Sequence, residues 1–245
     1  MNLILFEPDE TVRPLPRDDP RSQHLLRVLR RREGDTFDAG LVNGPRGKGT
    51  LVAIGPAALT LSFAWGAEPP PPAPITLIVG LPRPQTARDI LRDATSLGVA
   101  AMHFVTTDKS EPSYQRSALW SAGDWRRQLL LGAQQAFDTR LPEVSSGRSL
   151  LEVISRLPAH AARVALDHYE APAALTKCRL TADPAAAAPP LVVLAFGPER
   201  GWSNAERAAL RGAGFAFAHL GPRVLRTETA VAAAVTLARV QLGLM

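Results

Sequence analysis

The chain has 245 residues, of which 46% are hydrophobic and 21% charged, and its formal net charge is +5. This size and composition are typical of a globular protein with one large or two modest domains. The single cysteine, Cys178, excludes an internal disulfide and a multi-cysteine zinc site. The five histidines are scattered without the spacing of a metal site, so we expect no bound metal.

No segment of the sequence is suited to crossing a membrane. The short apolar run at residues 3–6 is followed at once by Glu7, Pro8 and Asp9, and it lacks the basic start of a signal peptide. No other apolar run approaches the roughly 20 residues that a membrane helix needs. We therefore expect a cytoplasmic protein without membrane attachment.

The first 70 residues combine short strand-like runs with turns and one helix. The helix is predicted to begin at an N-cap, Ser22, and to end before Gly34, with Val28 in its buried stripe. Strands are predicted at residues 2–6, 36–41, 49–54 and 59–65. This pattern predicts a small β-barrel over residues 1–70, a fold that often serves as an RNA platform.

Basic side chains cluster in this first region. Arg27, Arg30 and Arg31 lie in the predicted helix, and Arg46 and Lys48 follow in a glycine-rich turn. Such patches neutralise phosphates and release counterions, which favours nucleic-acid binding. A basic face that is only solvated remains the alternative.

A proline-rich segment at residues 69–74 predicts a stiff linker, since consecutive prolines favour the extended polyproline II conformation. After it, strand and helix patterns alternate. Strands are predicted at residues 75–81, 101–106, 163–167, 191–196 and 215–220, helices at 86–97, 118–136, 150–157, 204–212 and 229–241, and a surface loop at 183–190. The strands are continuous apolar runs, as in a parallel sheet covered on both faces, so residues 75–245 are predicted to form an α/β domain.

Two predicted strand ends in this domain carry unusual turns. A Gly-Pro-Glu segment at 197–199 follows one strand, and a Gly-Pro-Arg segment at 221–223 follows the next. Ligands of open α/β sheets bind beyond the carboxyl ends of strands, so both loops are predicted to line one crevice. The phosphate-binding motifs GxGxxG and GxxxxGK[ST] are absent, which favours a nucleoside-type ligand without a polyphosphate.

The second of these turns combines three chemical elements. A Gly-Pro pair lets the backbone approach a ligand, Arg223 and Arg226 can bind an anion or a base edge, and Thr227-Glu228-Thr229 supplies capping oxygens to the last helix. A plain strand-to-helix turn with solvated arginines is the alternative. No nucleophile arrangement stands out, because Cys178 has no neighbouring histidine and no GxSxG elbow exists.

Four motifs together resemble those of a known family. They are Gly197-Pro198-Glu199-x-Gly201 with Glu206, Leu220-Gly221-x-Arg223-Val224-Leu225-Arg226-x-Glu228-Thr229-Ala230, His24-Leu25-x-Arg27-Val28-Leu29-Arg30 with Gly34-Asp35, and Leu97-Gly98-Val99. The family is the 16S ribosomal RNA uridine N3-methyltransferases (small subunit methyltransferase E) of the SPOUT superfamily. The resemblance spans both predicted domains.

The resemblance implies a C-terminal trefoil-knotted α/β domain over residues 75–245 that binds S-adenosylmethionine, and an N-terminal PUA-like barrel over residues 1–70 that binds RNA. It also implies a homodimer whose partner is 16S ribosomal RNA or the small ribosomal subunit. The implied cofactor-binding residues are Leu166, Gly197, Pro198, Glu199, Gly201, Leu220, Gly221, Val224, Leu225, Arg226, Thr227 and Thr229. The RNA-binding candidates are Arg27, Arg30, Arg31, Arg46, Lys48 and Arg223.

Methyl transfer to uracil N3 requires the N3 proton to leave. We expect two residues to assist this step. We expect Arg226 to hold the uracil carbonyls and stabilise the developing anion. Glu228 orients Arg226 or accepts the proton, and the alternative is an acid that offsets the helix macrodipole. Two further functions stay open: a SPOUT methyltransferase acting on another RNA such as tRNA, and a non-catalytic RNA-binding assembly factor, the latter because Arg200 replaces the family's second glycine.

Overall fold

The computed structural model describes residues 3–180 and 191–245. The chain forms two units: one holds the residues up to Pro71 together with Leu130–Leu141, and the other holds Pro72–Leu129 and Pro142–Met245. The loop predicted at 183–190 and the first residue of the strand predicted at 2–6 lie outside the described residues.

The first unit contains a mixed sheet of five strands within the described ranges. They are β1 Ile4–Phe6, β2 Leu15–Pro16, β3 Thr36–Leu41, β4 Arg46–Ile54 and β5 Ala58–Trp65, in the order β1-β3-β4-β5-β2. β1 runs parallel to β3, and the other neighbours are antiparallel. Alternate side chains such as Phe6, Phe37 and Leu51 point into one buried cluster with Leu25. The four predicted strands are present, and the two-residue β2 is too short to leave a periodic pattern.

The predicted basic helix differs from the structure in its start, its end and one buried residue. Helix α1, Pro20–Gln23, begins after Asp19, whose side chain caps the first turn, and Ser22 lies buried within the helix. A π-helical turn, His24–Val28, continues it. Because a π turn holds more residues than an α turn, the 3.6-residue stripe breaks there and Val28 is exposed. Three predictions are therefore wrong: Ser22 as the N-cap, Val28 as a buried residue, and a helix that continues through Arg30 and Arg31 to just before Gly34.

Residues 130–141 pack within the first unit although they are distant in sequence. The buried Thr139 donates from its hydroxyl to the carbonyl of Gly44 at 2.6 Å. Arg140 donates to the carbonyls of Asn43 at 2.7 Å and Pro69 at 3.1 Å. These contacts leave no local sequence signal, so the proline-rich segment alone does not delimit this unit.

The second unit is built on a sheet of seven described strands. They are β6 Ala73–Gly80, β7 Val99–Thr106, β8 Glu143–Ser149, β9 Ala162–Leu166, β10 Ala173–Ala174, β11 Val192–Phe196 and β12 Ala216–His219, in the order β10-β12-β9-β11-β6-β7-β8. Their pairings are parallel. β6 and β11 are buried almost throughout, as strands covered on both faces must be. The predicted α/β class with a parallel sheet is confirmed.

The helices of the described ranges correct several predicted boundaries. They are α1, given above, α2 Pro84–Ser96, α3 Ala118–Ser121, α4 Asp124–Ala136, α5 Leu150–Ile154, α6 Asn204–Gly212 and α7 Thr227–Gln241, with 3-10 turns at Pro8–Val12, Pro112–Arg116 and Leu175–Lys177. The helix predicted at 118–136 is broken between α3 and α4, where Gly123 has a φ of +73°. The helix predicted at 150–157 ends at Ile154. None of these helices is long and apolar enough to span a membrane.

The last helix also begins earlier than predicted. α7 starts at Thr227, and its N-cap is Arg226, whose backbone is extended and whose side chain makes no capping hydrogen bond. Two predictions are therefore wrong: the helix does not start at Thr229, and Thr227-Glu228-Thr229 does not provide capping oxygens. These three residues form the first turn itself.

Candidate functional site

The carboxyl ends of neighbouring strands in the second unit surround a pocket. β9 lies between β11 and β12, so the two glycine-bearing loops flank the end of β9. The pocket brings together these predicted cofactor-binding residues: Leu166, Gly197, Pro198, Glu199, Gly201, Leu220, Val224, Leu225 and Thr227. Arg223, predicted to bind RNA, lines it too. Gly221, Arg226 and Thr229 are not among its lining residues.

A second pocket adjoins the first. It is lined by Arg83, Thr86, Glu199, Val224, Leu225, Arg226, Thr227 and Glu228. Arg226 and Glu228, the predicted catalytic residues, thus meet here and not in the first pocket. Glu199, Val224 and Leu225 line both pockets, so molecules held in the two would lie next to each other.

The loop that follows β11 forms a tight turn and packs against the end of the neighbouring strand, β6. The N–H of Gly201 donates to the carbonyl of Pro198 at 2.7 Å, which closes a turn. An ideal Cβ on Gly80, at the end of β6, would lie 2.5 Å from Cδ of Pro198. Only glycine therefore allows this approach, which holds the Gly-Pro-Glu segment beside the first pocket and Glu199 at both pockets.

Side chains beyond the pocket hold the same loop from behind. Lys109 donates from Nζ to the carbonyl of Trp202 at 2.9 Å and to that of Arg200 at 3.3 Å. The buried carboxylate of Glu206 accepts from the N–H of Ser203 at 2.7 Å and from the N–H of Asp108 at 2.8 Å. Glu206 closes a capping box with Ser203 at the start of α6. Two charged groups thus fix the loop's backbone.

A buried ion pair fixes the loop after β9. Arg207 donates from Nε to the carboxylate of Asp167 at 2.6 Å, and the side chains of the two residues are 9% and 2% exposed. The same carboxylate accepts from the N–H groups of Tyr169 and Glu170. Burial favours the neutral acid, but these hydrogen bonds outweigh it and hold the pKa of Asp167 below its ordinary value. Arg211 adds a contact to Glu170.

The loop after β12 lines the pocket with exposed apolar side chains. Gly221 has a φ of +107°, and an ideal Cβ there would meet nothing within 4 Å. Its N–H donates to Nδ1 of His219 at 3.0 Å. Val224 and Leu225, 71% and 37% exposed, present apolar surface beside it. The loop can therefore pack its apolar side chains against a flat apolar ligand.

The RNA-binding candidates of the first unit differ in their surroundings. Arg27, Arg30 and Arg31 are exposed at the π-helical turn and just after it. Arg46 donates to the carbonyl of Phe137 and lies over its ring, 5.5 Å from the centroid. Lys48 pairs with Asp38 on the neighbouring strand at 2.6 Å. The first three therefore form the more accessible cationic surface.

Sequence reasoning did not find several pocket residues. Asp167, His168, Tyr169, Trp202 and His219 line the pocket without a motif of their own. Asp167, His168 and Tyr169 follow β9 directly, and His219 is the last residue of β12, so strand assignment alone could have pointed to them. Across the described residues, no group of three or more His, Cys, Asp or Glu side chains is arranged to hold a metal ion.

Known proteins match this chain in sequence. The model of the RNA methyltransferase domain family matches residues 69–239. Ribosomal RNA small subunit methyltransferase E of Treponema pallidum (strain Nichols) is 34% identical over 239 residues, covering 96% of this chain and 89% of that protein. Ribosomal RNA small subunit methyltransferase E 1 of Borreliella burgdorferi is 24% identical, covering 96% of this chain and 95% of that protein.

Solved structures share the fold. Ribosomal RNA small subunit methyltransferase E from Neisseria gonorrhoeae, bound to S-adenosyl methionine, superposes with a TM-score of 0.78 at 22% identity, covering 98% of this chain and 97% of that chain. A probable rRNA-methyltransferase from Porphyromonas gingivalis gives a TM-score of 0.80 at 21% identity, covering 99% of both chains. With a family-domain match over most of its length and a 34% identical relative, this chain belongs to the ribosomal RNA small subunit methyltransferase E family of RNA methyltransferases.

Proposed function

We propose that this chain methylates N3 of a uridine in 16S ribosomal RNA of the small subunit, with S-adenosylmethionine as the methyl donor. The observation that carries the proposal is a pocket at the carboxyl ends of three adjacent parallel strands that adjoins a second pocket holding Arg226 and Glu228. One pocket suits a nucleoside-type cofactor, and the other suits a base that accepts the methyl group.

The residues of the first pocket fit the cofactor. Leu166, Leu220 and Leu225 offer apolar contacts for an adenine ring. Among the described atoms, the indole Nε1 of Trp202 is a buried donor without a partner, which an acceptor on a ligand or a water would satisfy. S-adenosylmethionine in this pocket would supply a methyl group on a sulfonium, already activated for displacement.

The chain's own task is then alignment and management of one proton. Correct positioning of two reactants contributes up to about 7–11 kcal/mol to lowering a barrier. In this proposal Arg226 donates to a uracil carbonyl and stabilises charge as it develops on the ring. Glu228 accepts the N3 proton, directly or through water. A target base within structured RNA is unstacked first.

The remaining assignments belong to the same proposal. The five-stranded sheet of the first unit acts as a PUA-like RNA-binding barrel, and Arg27, Arg30 and Arg31 grip phosphates. The second unit carries a trefoil knot, the protein works as a homodimer, and it acts in the cytoplasm, where ribosomal subunits are found. Family membership supports these assignments.

The test is methyl transfer from labelled S-adenosylmethionine to small ribosomal subunits that lack the modification. A methyl on N3 blocks the Watson–Crick edge, so reverse transcription should stop at one new uridine. Transfer to tRNA but not to subunits would show that the substrate is tRNA and not 16S ribosomal RNA. Cofactor binding without transfer to either would point to another RNA. Absence of both binding and transfer would support the non-catalytic assembly factor.

Lys109 should matter for the cofactor although it lies behind the loop. Lys109→Met removes two charge-assisted hydrogen bonds to the loop carbonyls, so the affinity for S-adenosylmethionine should fall roughly tenfold, measured by calorimetry. The exposed Lys177 lies in a 3-10 turn and provides the matched control, Lys177→Met. Equal affinities of the two variants would contradict a positioning role for Lys109.

Charge reversal at Arg30 and Arg31, just after the π-helical turn, should weaken RNA binding without changing cofactor binding. In Arg30→Glu/Arg31→Glu, the affinity for ribosomal RNA should fall. The negative slope of log K against log salt should become less steep by roughly two units. Cofactor affinity should stay unchanged. The control variant, Arg116→Glu/Arg156→Glu, changes the net charge equally at two exposed positions of the second unit. A similar loss of RNA affinity in the control would show that net charge, and not this surface, is responsible.

A further inference from the structure

The second pocket lies at the starts of two helices. Arg83 and Thr86 come from the N-cap and first turn of α2, and Arg226 and Glu228 come from the corresponding positions of α7. The carboxylate of Glu199 accepts from the N–H of Arg83 at 2.9 Å, which ties the start of α2 to the loop that both pockets share. The pocket is therefore fixed relative to the cofactor pocket by a defined contact.

Two cations in this pocket have no ion-pair partner among the described residues. Within residues 3–180 and 191–245, neither guanidinium, of Arg83 or of Arg226, forms an ion pair or a side-chain hydrogen bond. Both side chains are exposed. Arginines whose structural role is packing or bracing make such contacts, as Arg207 and Arg88 do here. Arg83 and Arg226 are accordingly available to a ligand.

The pocket's polar groups complement one edge of uracil. That edge presents a carbonyl, the N3–H and a second carbonyl, which is the order acceptor, donor, acceptor. Arg83 and Arg226 supply donors, and Glu228 supplies an acceptor. Val224 and Leu225 add apolar surface for the face of a ring. Cytosine presents an amino donor in place of one carbonyl and no N3–H, so it would face a guanidinium donor with another donor.

We propose that this pocket seats the target uracil, with Arg83 and Arg226 each donating to one of its carbonyls and Glu228 accepting from N3–H. The assignment rests on the proposed function and adds Arg83 to the residues that contact the substrate. It also names the source of discrimination against cytosine, because a site built to pair with a polar group rejects an analogue that leaves the group unpaired.

The kinetic test compares Arg83→Ala with Arg92→Ala on the same helix, where Arg92 pairs with Asp89 away from both pockets. Single-turnover transfer to 16S ribosomal RNA should slow about a hundredfold in Arg83→Ala. The cofactor's dissociation constant should stay within about threefold, since Arg83 lines the second pocket and not the first. Arg83→Lys, which keeps the charge but not the planar fork, should recover part of the rate. An Arg83→Ala rate equal to that of Arg92→Ala would overturn the assignment.

A binding readout separates this assignment from the activity itself. An RNA fragment carrying 4-thiouridine at the mapped target position is photo-crosslinked to the protein without cofactor, and the crosslinked peptides are sequenced. Crosslinks should fall on residues that line the second pocket, and they should weaken in Arg83→Ala but not in Arg92→Ala. Crosslinks confined to other residues would overturn the assignment. If the wild type transfers no methyl group to ribosomal RNA, the proposed function fails and this assignment fails with it. If the wild type transfers the methyl group but its crosslinks lie outside the second pocket, only this assignment fails.

Discussion

Arg226→Ala should lower the rate of methyl transfer by about a hundred- to a thousandfold, the usual cost of removing one donor that stabilises developing charge. The affinity for S-adenosylmethionine should change only a few-fold, because the side chain of Arg226 lines the second pocket and not the first. The backbone carbonyl of Arg226, which accepts from the N–H of Ala230 at 2.8 Å, survives the substitution. Helix α7 should therefore form normally.

The measurement is single-turnover transfer to 16S ribosomal RNA, together with calorimetry of cofactor binding. Arg156→Ala provides the control, since Arg156 is exposed and lines neither pocket. A variant at Arg226 that transfers methyl groups as fast as this control would remove Arg226 from the catalytic machinery. A loss of cofactor affinity equal to the loss of rate would instead assign Arg226 to cofactor binding.

Arg207→Met should lower the free energy of unfolding by about 3–5 kcal/mol, because it leaves the carboxylate of Asp167 buried without its counter-charge. The side chains of the pair are almost fully buried, so solvent screens them little. The matched control is Arg211→Met, whose side chain is half exposed and contacts Glu170 at the surface. The control should lose no more than about 1 kcal/mol, as surface ion pairs do.

Acid should reduce the difference in the free energy of unfolding between the wild type and Arg207→Met. The folded pKa of Asp167 lies below its unfolded value, which is about 3.9. The pair's stabilisation is therefore complete above the unfolded pKa and is lost as the pH falls through the folded pKa. Urea unfolding at neutral pH and at about pH 3 measures this change. A difference in free energy that stays constant down to that pH would contradict the assignment to Asp167.

The elements predicted best were those whose signal lies within one segment. Apolar runs such as β6 and β11 are strands because both faces are covered, and α6 was predicted with its observed bounds, since Ser203 and Glu206 form a capping box at its start. β8 was missed because Glu143–Ser149 is a polar edge strand with only one neighbour in the sheet. An edge strand of this kind lacks both a continuous apolar run and clean alternation.

The residues of the candidate site also fall into those with a local sequence signal and those without one. Gly197, Pro198 and Glu199 could be placed from their motif, since a Gly-Pro pair that directly follows an apolar strand favours a turn. The contributions of Lys109 and Arg83 could not, because each reaches the site from a loop distant in sequence from the motif. Such contacts depend on the order of strands in the sheet, and one sequence does not contain that order in any local pattern.

The chain has only three lysines, Lys48, Lys109 and Lys177, and this gives amine-directed reagents very few side-chain targets. Lys48 and Lys177 are exposed at the surface, whereas the Lys109 amine is partly buried and donates to two carbonyls of the cofactor loop. Acylation of Lys109 by an activated ester should therefore be the slowest of the three. The rate of acylation at Lys109 then reports how often the cofactor loop opens. Mass spectrometry can measure this rate in the wild-type protein without any engineered label.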